Sequence, residues 1–220
     1  MKVSVLLAVY NGEDYIEQAV HSVLCQSHED FELLVGFNGT TDNSKKLILE
    51  IDDPRIRIFD YGDDKGKSKT LNKLLLESTA NWVAIQDADD VWMRDKLKLQ
   101  IGMVDEFDVI GTFAKYINEY SDFIGEPTLA VDHADIANHC FNYSNQIINC
   151  SSLIKKEAIF KAGAWDENCL VEDYDLWLKL LKLGYKFRNI PKPLVWHRIH
   201  HKSNFNTQTF DIYSLVNKYK

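Results

Sequence analysis

Four apolar runs of strand length, separated by segments of helical period, leave this chain few folds to choose from. The first, Val3–Val9, carries no charge and ends at Asn11-Gly12; the second, Phe31–Phe37, ends at Asn38-Gly39. A short third run at 56–59 precedes Tyr61-Gly62, and the fourth, Trp82–Gln86, drives into Asp87. Between them lie helical spacings: Ile16, Ala19, Val20, Val23 and Leu24 within 14–25, then Leu47, Ile48 and Ile51 behind a Thr41-Asp42 cap, then 68–76. Strands that alternate with helices at roughly 25-residue spacing need right-handed crossovers, and so form a parallel sheet. Every residue that follows such a strand comes to one edge, the edge where these sheets bind small ligands. Here that edge would gather Tyr10-Asn11-Gly12, Asn38-Gly39-Thr40, Tyr61-Gly62 and the acidic turn Asp87-Ala88-Asp89-Asp90.

Three carboxylates within four residues raise one another's pKa and call for a positive partner. A divalent metal with oxygen ligands is the simplest one, the alternative being a solvated acidic turn that caps the helix begun near Asp95. The position of the turn on the ligand-binding edge favours the functional reading. No GxGxxG follows the first strand and no GxxxxGK[ST] occurs. Lys65-Gly66-Lys67-Ser68 lacks the first glycine of a phosphate loop, although Lys67 and Lys69 fall in the first turn of the third helix, where anions are favoured.

Composition narrows the function classes. The 220 residues, 45% hydrophobic and 26% charged, suit one large globular domain or one domain with an appended lobe. A formal net charge of −8 argues against nonspecific nucleic-acid binding, which needs a basic face. Cys25, Cys140, Cys150 and Cys169 lack CxxC spacing and read as reduced cytoplasmic thiols. Met1 to Tyr10 lacks the cleavage site of a signal peptide, and no apolar stretch approaches a membrane span. The expected location is cytoplasmic, with peripheral contact at the inner membrane face as the limit.

Further on, the pattern predicts a helix over 95–104, a strand over 109–114, and a variable lobe over 115–146 with one helix near 133–140. A strand over 147–154 and a helix over 155–161 come next. A second acidic island, Glu172-Asp173-Tyr174-Asp175, opens the helix that contains Leu176-Trp177-Leu178, where carboxylates also serve as simple caps. Two late strands, 185–190 and 194–196, lead to His197, His200 and His201. A modestly amphipathic helix at 210–219 closes the chain, as core packing or a membrane-surface or partner contact.

Taken in order, these segments resemble the inverting family-2 glycosyltransferases of the GT-A fold. The resemblance is carried by Val3–Val9 with Tyr10-Asn11, by Gly39-Thr40-Thr41-Asp42-Asn43-Ser44, and by Leu71-Asn72. It continues through Asp87-Ala88-Asp89-Asp90 as the family's DxD, Glu172-Asp173 with Leu176-Trp177, and Arg198-Ile199-His200 with Ser203. It implies a Rossmann-like, mainly parallel sheet flanked by helices, with a smaller acceptor-side lobe. Residues 1–113 would form the nucleotide-sugar half of one domain, 114–204 the acceptor and catalytic-base half, and 205–220 a C-terminal helix.

The resemblance also implies roles. A nucleotide-diphosphate sugar, with uridine as the nucleoside, would lie against Ala8, Tyr10, Glu13, Asn38, Lys67, Lys69, Asp87 and Ala88. Tyr10 would stack on the base, and Lys67 or Lys69 would screen the diphosphate. Asp89 would hold Mg²⁺ or Mn²⁺, and His200 would complete that site as a metal or phosphate ligand. Asp173 would be the general base that activates a hydroxyl of a glycan or lipid-linked acceptor, its pKa raised by Glu172. Two departures stand out: Asn38 replaces the aspartate usual after the second strand, and Leu71 replaces a frequent arginine.

A rival reading is a haloacid-dehalogenase-like phosphatase with Asp87 as nucleophile, since Asp87-Ala88-Asp89-Asp90-Val91 fits DxDxV; that motif, however, normally follows the first strand. An EF-hand counted from Asp87 finds Trp92 and Lys98 where glycine and glutamate are required. A binding module that kept the fold without catalysis is the remaining alternative.

Overall fold

The computed structural model describes residues 1–201 and 211–220. The four expected strands are present as β1 (Val3–Val9), β2 (Phe31–Phe37), β3 (Ile56–Asp60) and β4 (Trp82–Gln86), in the parallel order β3-β2-β1-β4. The sheet then continues as a mixed one. β8 (Leu153–Lys155) pairs antiparallel with β4 and with β6 (Val109–Ile117), and β9 (Phe187–Arg198) runs parallel to β6. Two short strands escaped the sequence pattern: β5 (Val91–Trp92) on β9, and β7 (Phe123–Gly125) hairpinned on β6.

Both faces of β1 are buried, which is why its sequence shows no polar alternation. Val3, Val5, Leu7 and Val9 pack with Ile16, Val20 and Val23 of α1 (Ile16–Leu24) on one face. On the other face Leu6 meets Leu71, Leu74 and Leu75 of α3 (Lys67–Glu77). Helix α3 lies so close to β2 that a Cβ on Gly36 would stand 2.7 Å from Thr70 Cγ2, so only glycine fits there. Helices α2 (Ser44–Leu49) and α4 (Lys96–Ile101) complete the first half, and β6 runs through position 113 without a break.

The stretch 115–146 is less of a separate lobe than its sequence suggests. Its helix α5 (His133–Asn142) buries Ile136 and Cys140 in the core that holds Trp177 of α7 (Glu172–Lys182). The strand expected over 147–154 survives only as β8. Upstream of it a 3-10 turn, Asn149–Ser151, forms because the Ser151 and Ser152 hydroxyls bond the carbonyls of Ile148 and Asn149, competing with strand pairing. The two late strands are one, β9; Pro191 and Pro193 lie near register shifts against β6 rather than in a break.

Helix α6 (Lys156–Lys161) follows β8 directly. The C-terminal helix α8 (Ile212–Asn217) docks on α7: the Tyr219 hydroxyl and Lys218 Nζ both reach Asp175 Oδ1, and Val216 is buried. Ser203 and the first part of the expected C-terminal helix lie outside the described residues. No helix among the described residues is long and apolar enough to cross a membrane.

Candidate active site

The loops after β1 and β2 are laced together at the sheet edge. Asn11, in the left-handed region at φ 48°, accepts from the Thr41 N–H at 2.8 Å. The Gly12 N–H donates to Ser44 Oγ, and the Glu13 N–H to Asp42 Oδ2. Glu13 Oε2 in turn accepts from the backbone and side chain of Asn43. The motif 39–44 thus fixes the shape of the first loop, and Asp42 serves this lacing as well as the α2 start. Tyr10 is left 52% exposed, with Lys65 Nζ 5.4 Å from its ring centre. Asn38 is buried, and its Oδ1 has no partner among the described residues. Ala8, opposite Gly36 in the β1–β2 pairing, lies beneath this edge.

The end of β4 brings the acidic turn to the same place; a Cβ on Gly12 would stand 3.3 Å from that of Ala88. Lys67, at the start of α3, lies 2.7 Å from Asp87 Oδ1 and 3.4 Å from Glu172 Oε1. Burial works against charge on Lys67, but Asp87 and Glu172 outweigh it and hold the amine protonated, well above its ordinary range. Lys69 is placed differently: it pairs with Asp64, a carboxylate it shares with Lys73.

Asp89 Oδ2 meets His200 Nε2 at 2.9 Å. Burial pushes the Asp89 carboxyl up, yet the His200 contact and the nearby His197 and Lys67 leave its pKa below the usual carboxylate value. Behind it, Asp90 is fully buried, with Oδ1 on the Arg198 N–H and Oδ2 3.0 Å from His197 Nδ1. Asp90, Cys150 and His197 bring three donor atoms within 4.8 Å of one another. Because both Asp90 oxygens are already engaged, this cluster forms a hydrogen-bonded floor under the turn.

Arg198 has a role that the sequence did not reveal. It is 1% exposed, and its guanidinium donates to the Asp89 carbonyl, the Asn118 carbonyl, Ser121 Oγ and Gln18 Oε1 while covering the Tyr15 ring. It therefore joins α1, the β6–β7 hairpin and the acidic turn at one point. The only signal in the sequence was its place two residues before His200.

The second acidic island arrives at the N-terminus of α7. Burial, and then the charge of Glu172, push Asp173 up to about 7. Asn145 Nδ2 donates to Asp173 Oδ2 at 3.1 Å. Asp175 is structural, tied to Lys179 at 2.6 Å as well as to α8. Asn72, noted in the sequence without a role, clamps the approach to α7: its amide accepts from the Trp165 N–H and donates to the Trp165 carbonyl.

The structure therefore gathers Tyr10, Asn38, Lys67, Asp87, Ala88, Asp89, Asp173 and His200 about one edge, with Ala8 and Glu13 as support and Lys69 to the side. The rim suits a hard divalent cation, since the carboxylate of Asp89 and the ring of His200 are already in contact and Asp87 is two residues away. Asp173, next in the chain to the Glu172 that Lys67 reaches and raised to about 7, also offers a proton acceptor beside the same space.

Comparison with known proteins gives a consistent set of likenesses. The profile described as Glycosyl transferase family 2 matches residues 4–159. The chain is 28% identical over 201 residues to the UDP-Glc:alpha-D-GlcNAc-diphosphoundecaprenol beta-1,3-glucosyltransferase WfaP of Escherichia coli, covering 90% of the chain and 77% of that protein. Among solved structures it superposes on S. aureus TarS 1-349 in complex with UDP-GlcNAc with a TM-score of 0.79 at 17% identity, over 98% of the chain. The mannosyltransferase PcManGT from Pyrobaculum calidifontis, in complex with GDP-Man and Mn2+, gives 0.71 at 18% identity over 92% of the chain. The chain spans 64% and 58% of those two structures, less than two thirds of either. Nothing among these likenesses supports the phosphatase reading, and the acidic turn follows the fourth strand, not the first.

Proposed function

The chain belongs to glycosyl transferase family 2 and has the GT-A fold, and from that premise we propose that it moves a sugar from a UDP-sugar to a hydroxyl of a glycan or lipid-linked acceptor, with inversion. The observation that carries this reading is the Lys67 bridge from Asp87 to Glu172, which sets the acidic turn and the Glu172-Asp173 pair around one space. UDP is the preferred nucleotide because WfaP is named for UDP-Glc and TarS was solved with UDP-GlcNAc. A lipid-linked acceptor follows from the diphosphoundecaprenol in the name of WfaP.

The side chains then divide the work. Tyr10 offers an exposed ring face to the nucleobase, and Asn38 Oδ1, without a partner among the described residues, is a buried acceptor for a base N–H. Lys67 carries a fixed positive charge between the two acidic segments and orients Asp87 toward the nucleoside. Asp89 and His200 would hold a Mg²⁺ or Mn²⁺ ion, which supplies charge to stabilise the departing diphosphate. Asp173 takes the proton from the acceptor hydroxyl as its oxygen attacks the anomeric carbon on the face opposite the diphosphate. A base of pKa about 7 is matched to that transfer near neutral pH.

A thermal-shift screen of nucleotide sugars with and without Mn²⁺ tests the reading. A ligand at 100 times its Kd stabilises the native state by about 2.7 kcal/mol, so a UDP-sugar with Mn²⁺ should raise Tm by several degrees above its competitors. An unchanged Tm with every nucleotide sugar, in both metal conditions, would overturn it.

A further inference from the structure

The segment between α5 and the 3-10 turn carries no motif, yet one of its residues touches the proposed base directly. Asn145 Oδ1 accepts the Ile147 N–H at 3.0 Å. A backbone N–H can only donate, so this bond fixes which end of the amide is which. The Nδ2 group is thereby turned to Asp173 Oδ2 at 3.1 Å. The backbone N–H of Tyr174 also favours the charged form of Asp173. A carboxylate has about four lone-pair sites, so the Asn145 bond still leaves room for an acceptor hydroxyl.

We infer that Asn145 is a positioning residue for Asp173: its amide holds one carboxylate oxygen in place so that the remaining lone pairs face the acceptor. The inference rests on the reading of Asp173 as the base and names the residue that orients it. The charged and titratable groups around Asp173 come from four elements: Glu172 and Tyr174 on α7, Lys67 on α3, Asp87 at the end of β4 and Cys140 on α5. Of these only Lys67 is a cation, and it lies 2.7 Å from Asp87. Asn145 is thus a neutral donor to a carboxylate that is otherwise crowded by acids. A hydrogen bond to the charged form favours that form, so losing it moves the carboxyl upward and loosens its aim.

The test is a pH–rate series on Asn145→Ala, with Asn145→Asp as an isosteric second variant and Asp173→Asn as the reference. The expected result for Asn145→Ala is a loss of about 10-fold to 10²-fold in kcat near pH 7, donor KM within about twofold, and an acid limb of kcat/KM displaced upward by about one unit. Asn145→Asp replaces the donor by a like charge and should displace the limb further. Wild-type kcat and an unmoved limb in both variants, with Asp173→Asn inactive, would refute the role of Asn145 and leave the base in place. A uniform loss at every pH with a raised donor KM would make Asn145 merely structural, and also refutes the inference. Full activity in Asp173→Asn would instead remove the base itself, and the inference with it.

Discussion

Lys67 Nζ lies 2.7 Å from Asp87 Oδ1, and this contact ties the start of α3 to the end of β4 at the sheet edge that carries the candidate site. The same amine reaches Glu172, so one cation stands between acids from two distant parts of the chain. Replacing it with methionine leaves those acids without their counter-charge. Lys67 lowers the pKa of Asp173, so in Lys67→Met the acid limb of kcat/KM should rise above 7. The variant should also lose stability as pH rises, since Asp173 then ionises without the nearby cation that favours its charged form. With Lys67 30% exposed, the stability loss should be of the order of 1 kcal/mol. Urea unfolding at pH 6 and pH 8 measures it, and equal losses at the two pH values would count against the bridge.

The Asp173 carboxyl should set the pH dependence of the wild-type enzyme. Its folded pKa of about 7 lies above the ordinary carboxylate value, so Asp173, acting as the proposed base, should be largely protonated at pH 6 and ionised at pH 8. Stability runs the other way: a raised folded pKa favours the fold below the unfolded value and loses that contribution as pH climbs through 7. Asp173→Asn should therefore lower kcat by about 10³-fold while raising Tm at pH 8. A variant that is both inactive and less stable at pH 8 would contradict the burial of this charge.

Arg198→Leu removes four side-chain donors from a buried point and leaves the Asp89 and Asn118 carbonyls without those partners. The expected cost is about 3 kcal/mol or more in urea unfolding, because each orphaned group keeps its desolvation penalty. The Mn²⁺ concentration for half-maximal activity should rise as well, because the carbonyl that registers the Asp89 turn is released. A wild-type unfolding midpoint would show that the contacts carry no weight.

Asn72→Ala breaks the paired bonds to the Trp165 N–H and carbonyl. A loss of about 2 kcal/mol is expected, with faster amide exchange at Trp165. Unchanged protection at that amide would show that the loop is held by packing alone.

How much of this was legible beforehand depends on whether the signal was local. β1, β2 and β4 lie where their apolar runs end, because burial on both faces writes itself into sequence without need of neighbours. Asp87, Asp89 and Asp173 were readable because like charges crowded together are costly and conspicuous. Arg198 was not, since one arginine near a chain's end gives no hint that Gln18, Asn118 and Ser121 will surround it. β5, with two residues, exists only by pairing with Val195 and Trp196, a partner about a hundred positions away. Lys67 and Lys69 looked equivalent in sequence; Asp64 separates them by capturing the second.

If Asp89 and His200 form a cation site, a nucleotide diphosphate should share the ion they hold. Isothermal titration of UDP into the wild-type protein and into Asp89→Ala, each with Mn²⁺ and with EDTA, measures this most directly. Tight binding by the wild type in Mn²⁺, lost by about 10²-fold or more both in EDTA and in Asp89→Ala, is the predicted result. UDP affinity indifferent to Mn²⁺ and to Asp89 would contradict the account.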